Sequence, residues 1–145
     1  MPLVRALIVC AQNFERYSSL HVRQLGLTPP QFDIIATLGN TEGMSCKDLG
    51  KKTLITKGTM TGVLTRLERK GLLTRVDSPL DGRSWITKLT RKGQTLFEEI
   101  FPAHVAHLAP VFTNFTAADL DGMCLRLNRL GAAFDAVNTK LEKTG

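Results

Sequence analysis

The sequence predicts a mainly α-helical fold with one small β-hairpin, and three observations predict it. Both ends of the 145-residue chain carry apolar residues spaced alternately three and four apart, the spacing of a helix with one continuous apolar seam. The middle holds shorter apolar stripes that begin at Ser or Thr caps and are broken by glycines. Between residues 72 and 89 the helical period gives way to two short runs of β-formers around a loop of turn residues.

Taken in order, the first helix is carried by Leu3, Leu7, Cys10, Phe14, Tyr17 and His21. Thr28 caps a second helix, whose first turn tolerates Pro29 and Pro30. Phe32, Ile35 and Ala36 make its buried stripe, Ile34 and Leu38 widen it, and Gly39-Asn40 ends it. Ser45, with Asp48 three residues on, caps a short helix carrying Leu49. After a turn around Thr53 to Ile55, Thr56 opens a helix over 57–70. Its apolar residues are Met60, Val63, Leu64 and Leu67, and Gly71 stops it. Two short helices joined by a tight turn, the second with one narrow apolar face, form a helix-turn-helix. Leu72 to Val76 and Trp85 to Leu89 are the arms of a hairpin around 77–84. Thr90 caps the next helix, which runs past Leu96, Phe97, Ile100 and Phe101. Pro102 is expected to kink or interrupt it, and Pro110 lies near its far end. Thr116 and Asp119 give a capping-box-like start to the last helix, with a seam of Leu120, Met123, Leu127, Leu130, Phe134, Val137 and Leu141. A chain of this length has little body left to cover a seam at each end, so the terminal helices are expected to pack between two copies.

Composition narrows the classes of function. The length suits one domain with one core, and 43% hydrophobic with 22% charged residues is ordinary for a soluble protein. No apolar run approaches the ~18 residues that would span a bilayer, and the opening lacks the cleavage site of a secretory signal. Cys10, Cys46 and Cys124 share no close spacing, so neither a disulfide framework nor a zinc knuckle is written in them. A reducing cytoplasm is the simplest setting. No nucleophile–base pair, phosphate-binding glycine loop or paired carboxylates appear, so an enzyme is not expected, nor a catalytic residue or cofactor.

Charge is placed unevenly. Of the 19 Lys and Arg, twelve fall between Lys47 and Lys92 against four acidic residues, whereas the rest of the chain holds seven basic and nine acidic. Such a segment suits a phosphate backbone, whose neutralisation releases condensed counterions; on charge alone a solvated surface explains it equally well. The helix over 57–70 tips the balance. Opposite its apolar stripe lie Gly58, Thr61, Gly62, Thr65, Arg66 and Arg69, with Lys57 and Thr59 at the N-terminal end, where free N–H groups and the helix dipole favour an anion. Gly62 costs roughly 0.5–1 kcal/mol relative to alanine inside a helix, so its use on an outer face suggests close approach of something bulky. Threonine suits base edges and thymine methyls, and arginine suits guanine or phosphate. In the hairpin loop Arg83 projects near a tip shaped by Pro79 and Gly82, as a minor-groove contact would. Asp81 is placed to orient it, although turn chemistry alone also explains Asp81-Gly82.

The segments LTPPQFDIIATL (27–38), TKGTMTGVLTRLERKGLLTRV (56–76) and DSPLDGRSWITKLTRKG (77–93) together resemble the MarR family of winged helix-turn-helix transcriptional regulators, over nearly the whole chain. The resemblance implies one domain over 1–145. Residues 28–93 would form the DNA-binding lobe, 1–25 and 94–143 the dimerisation helices, and Asp81, Gly82, Arg83 and Ser84 the wing. It further implies a homodimer with two recognition helices in successive major grooves of a pseudo-palindromic operator, with half-sites roughly 34–36 Å apart. Such a protein would repress nearby genes until a signal releases it.

Three signals are open. An oxidant sensor would use a cysteine near the start of the first helix, but Val4 falls there; Cys10 reads as a buried seam thiol and Cys46 as a small packed residue. A metal sensor would use His104 and His107, three apart, with His21, but as surface histidines these are not expected to form a metal site. A small-molecule effector fits by default, between helices lined by Phe14, Tyr17, His21, Phe32, Ile35, Phe97 and His104, each of which has a plain core-packing alternative. Non-specific architectural DNA binding is the rival class and would show no preference for an operator.

Overall fold

A computed structural model describes residues 1–78 and 84–142 of the chain, in two units, Met1–Leu108 and Ala109–Gly145. The first begins with α1 (Pro2–Gln24), α2 (Pro29–Leu38), β1 (Met44–Ser45), α3 (Cys46–Lys52) and α4 (Lys57–Arg69). It continues through β2 (Leu73–Asp77), β3 (Trp85–Leu89) and α5 (Arg91–Leu108). Its core is built from Val22, Leu27, Ile34, Ile35, Leu38, Leu49, Met60, Val63, Leu64, Leu67, Leu72, Leu73, Phe97 and Ile100. Burial of this apolar surface is the main stabilising contribution.

The caps follow local chemistry. Thr28 and Gln31 close a full capping box on α2, the Thr28 amide donating to Gln31 Oε1 at 3.1 Å. The Asp48 amide donates to Ser45 Oγ at 3.1 Å, and the Gly93 amide to Thr90 Oγ1 at 3.1 Å. Thr56 is the N-cap of α4 but makes no side-chain bond to its backbone; its hydroxyl donates to Thr59 Oγ1 at 3.1 Å instead. Gly71 ends α4 with φ at 69°, a left-handed turn that other residues adopt at a cost.

Several expectations need correction. The stripe of α2 is centred on Gln31, Ile34, Ile35 and Leu38, with Phe32 and Ala36 half-buried, because Ile34 rather than Ala36 faces the core. The hairpin is part of a three-stranded antiparallel sheet in the order β1-β3-β2, Met44 pairing with Thr87 and Ser45 with Ile86. A two-residue strand has no period to read in a sequence. Pro102 neither ends nor divides α5; it lies on the exposed side, where the carbonyl it leaves unbonded meets water. Cys10 and Cys46 are exposed rather than packed. The core reaches α1 near its C-terminal end, at Val22, and α3 through Leu49.

The second unit holds a short 3-10 turn, Ala109–Phe112, and α6 (Ala117–Glu142). Thr116 donates to Asp119 from its amide at 2.9 Å and its hydroxyl at 2.7 Å, which holds the Asp119 carboxyl below its usual range. Along α6, Leu120, Met123 and Leu130 are half-buried, while Leu127, Phe134, Val137 and Leu141 are 55–66% exposed. No helix among the described residues is long and apolar enough to cross a membrane.

Candidate nucleic-acid interface

The geometry of α4 is set by what it buries. Met60, Val63, Leu64 and Leu67 are buried, and α2 supplies much of the surface they meet, with Ile34, Ile35 and Leu38 in the same core. The turn before α4 is tied to α2 by the Leu54 amide, which donates to Asp33 Oδ2 at 3.0 Å, while the Thr53 hydroxyl bonds the Leu49 carbonyl at 2.8 Å. With the helix rolled this way, Lys57, Gly58, Thr59, Thr61, Gly62, Arg66 and Arg69 all face outward. A Cβ added at Gly62 meets nothing within 4 Å, so packing within the chain does not require the glycine. Lys47, Lys51 and Lys52 of α3 are exposed too, extending the positive potential beside it.

Thr65 departs from the expected outward face. It is half-buried and accepts from Arg75 Nη2 at 3.4 Å. The same guanidinium lies 3.5 Å from Glu68 Oε2, so Arg75 of β2 ties the hairpin to the C-terminal half of α4. Glu68 also puts an acidic group beside the outward face. This link was missed in the sequence because its partners lie on different elements.

The hairpin arms pair from Leu73↔Leu89 to Asp77↔Trp85, and the Ser78 amide donates to the Ser84 carbonyl at 2.9 Å. Asp81, Gly82 and Arg83 lie outside the described residues. Ser84 stands at the base of the loop beside Trp85, an exposed indole that the sequence reading passed over.

The seven effector candidates divide three ways. Ile35 and Phe97 are enclosed in the core, where they offer a ligand no free face in this conformation. Phe14 is exposed on α1. Tyr17, His21, Phe32 and His104 come together, joined by His107. The imidazole of His107 stacks on Tyr17 with ring centroids 4.3 Å apart and on His21 at 4.2 Å. His21 Nδ1 lies 3.0 Å from His104 Nδ1, and Phe32 closes the far side of His104 at 4.6 Å. His104 is only 5% exposed, which corrects the surface reading of this residue. Burial lowers the pKa of His21 and His104, and the neighbouring histidines lower them further. Among the described residues no three His, Cys, Asp or Glu are arranged to hold a metal ion.

A helix-turn-helix whose second helix presents threonine, glycine and arginine outward, followed by a hairpin, is a DNA-reading architecture. The MarR family model matches residues 25–84. The chain is 31% identical over 120 residues to the HTH-type transcriptional regulator MhqR of Bacillus subtilis (strain 168), covering 83% of each protein. Among solved structures, the transcriptional regulator PA4135 superposes with a TM-score of 0.78 at 28% identity, over 90% of this chain and 96% of that one. NadR, solved with 4-hydroxyphenylacetate, superposes with a TM-score of 0.73 at 26% identity, over 88% and 89%. The chain belongs to the MarR family of transcriptional regulators.

Proposed function

We propose that the chain acts in the cytoplasm as a homodimeric repressor of nearby genes that reads a pseudo-palindromic operator and lets go when a small effector binds. The observation that carries this reading is the outward face of α4, where threonines and arginines surround a glycine whose Cβ position is open. Lys57, Gly58, Thr59, Thr61, Gly62, Arg66 and Arg69 approach the major groove, with Thr65 contributing from the edge. Arg83, flanked by Asp81, Gly82 and Ser84, reaches the adjacent minor groove. Residues 28–93 serve as the DNA-binding lobe. The segments 1–25 and 94–143 serve in dimerisation; the exposed apolar side chains Leu3, Ile8 and Phe14 on α1 and, separately, Leu127, Phe134 and Val137 on α6 support this, since large apolar side chains gathered in the open on one helix call for a partner. The aromatic cluster at Tyr17, His21, Phe32 and His104 is the place for an aromatic or phenolic effector, in keeping with the ligand held by NadR.

The test is enrichment of random duplexes on the purified protein, followed by anisotropy titrations of the enriched and a scrambled duplex at one salt concentration. A regulator reading sequence prefers the enriched duplex by roughly 10³-fold or more. Equal affinity for the two makes the chain an architectural DNA binder instead.

A further inference from the structure

All three histidines of the chain, 83 and 86 residues apart at the extremes, meet in one stack between α1 and α5. Tyr17, His107 and His21 lie nearly parallel, the last two within 6°. His104 sits at the end, its Nε2 3.1 Å from Ser18 Oγ and its Nδ1 against His21 Nδ1. The Tyr17 hydroxyl donates to the His107 carbonyl at 2.9 Å, so α1 and α5 are held together here by this cluster.

We propose that this stack is an acid-sensitive latch: protonation of its histidines separates α1 from α5 and lowers affinity for the operator. The second half rests on the DNA-binding reading above; the first does not.

Proton counting gives the reason. Two Nδ1 atoms at 3.0 Å share one hydrogen, donated by one ring and accepted by the other. One charge on the pair leaves that bond in place, but a second sets two N–H groups head to head. The ring of His107 lies 4.2 Å from that of His21, and among the described residues its buried Nε2 has no hydrogen-bond partner, so charge gained by His21 finds no acceptor there. Like charges this close in a partly desolvated site repel strongly.

Among the described residues no carboxylate bonds the stack. α1 contributes Tyr17 and His21 to the stack, the charged residues nearest them in sequence being Glu15, Arg16 and Arg23, all exposed. α2 contributes Phe32; its one ionisable residue, Asp33, accepts the Leu54 amide instead. α5 contributes His104 and His107; of its two carboxylates, Glu98 accepts from Gln94 and Glu99 is exposed. The influences on His21 and His104 are burial first, then the other histidines. Both pKa values therefore lie below that of the unfolded chain. The stack is intact above the ordinary histidine pKa of about 6.5 and loses stability as pH falls through the lowered values. A shared metal ion is a poorer reading, because an ion lies in the plane of each imidazole that binds it and the parallel planes of His21 and His107 do not meet.

The latch is joined to the DNA-binding lobe through α5. The Thr90 hydroxyl donates to the Gly71 carbonyl at 2.7 Å, and Lys92 Nζ to the Lys70 carbonyl at 2.9 Å, so the start of α5 is fixed to the end of α4. Loosening α1 from α5 then favours spacings of the two recognition helices that miss the grooves.

The experiment is an anisotropy titration of the full-length protein on its enriched operator, at constant ionic strength, from about pH 7.5 to about pH 5.5, the range in which unperturbed histidine titrates. Affinity is expected to fall at least about tenfold, with its midpoint below the ordinary value. His107→Phe keeps the stacked ring but removes an imidazole that lowers the pKa of both His21 and His104; it should match the wild type at the upper pH and lose affinity with a midpoint moved up toward the ordinary histidine value. Constant wild-type affinity, or a midpoint in H107F no higher than in the wild type, overturns the proposal. Histidine ring resonances followed by NMR in the wild type decide the first half without any variant or operator. His21 and His104 titrating below the ordinary value, with loss of α1–α5 cross-peaks, supports the latch. Ordinary independent titrations with the cross-peaks retained overturn it. Absence of operator binding at the upper pH rejects the DNA reading and leaves the latch to this measurement.

Discussion

α4 and α6 are both amphipathic, yet the chain treats them oppositely. Every apolar residue of the α4 stripe is buried, Leu67 to 0% exposure, and what remains outside is polar or glycine. α6 has no buried residue, and its seam runs out to Leu141 at 66% exposure. A helix whose apolar side is satisfied within its own chain has its other side free to recognise something. A helix whose apolar side is unsatisfied needs a second body before it is stable. On the function proposed above, recognition and assembly would fall to different helices according to which face is left open.

The harshest way to break this contrast is to charge the α6 seam. Replacing Leu127 and Leu130 together with Glu should convert dimers to monomers by light scattering and reduce operator affinity by more than about 100-fold, since both half-sites contribute to the bound state. A dimeric mass after that change would contradict the assignment. In α4 the equivalent damage is to folding. Leu67→Ala should cost about 2–5 kcal/mol in denaturant unfolding, whereas Leu127→Ala, on an open face, should cost far less of the unit's own stability. Equal costs would mean that the α6 seam is covered after all.

On the outward face of α4 the comparison sharpens to single residues. Arg69 is exposed and held by no hydrogen bond or ion pair among the described residues, whereas Thr65 is engaged by Arg75. Arg69→Ala should weaken operator binding by about 1–3 kcal/mol with the dimer intact. Thr65→Ala should weaken it less directly, through the Arg75 link that holds the hairpin against the helix. Anisotropy on both variants orders the two effects, and a larger loss for T65A would restore it to the groove.

The parts of this molecule that a sequence discloses are those decided within a few residues. Thr28, Ser45, Thr90 and Thr116 mark helix starts because a hydroxyl satisfies amides two or three residues ahead, and the buried stripe of α4 follows from its period alone. What was not legible depended on partners far along the chain. β1 exists because Met44 and Ser45 find Thr87 and Ile86. Arg75 reaches Thr65 and Glu68 from another element. The spacing of His104 and His107 suggested one shared face, but nothing local foretold His21 stacking on both of them, Phe32 against His104, or the burial of His104. The tip carrying Arg83 was read from turn chemistry alone and lies outside the described residues.

Gly62→Ala is the mildest substitution and the most discriminating. Alanine adds one methyl at a site with nothing within 4 Å and stiffens the helix, so stability should rise by roughly 0.5–1 kcal/mol. If the face is a DNA-reading surface that a backbone must approach closely, operator affinity should fall at the same time, though by less than for Arg69→Ala. A thermal melt and a titration on the same preparation test both signs. Stability rising while affinity falls places the reason for the glycine outside the chain. Stability and affinity rising together would mean that the glycine merely weakens the helix, and the close approach at position 62 would have to be abandoned.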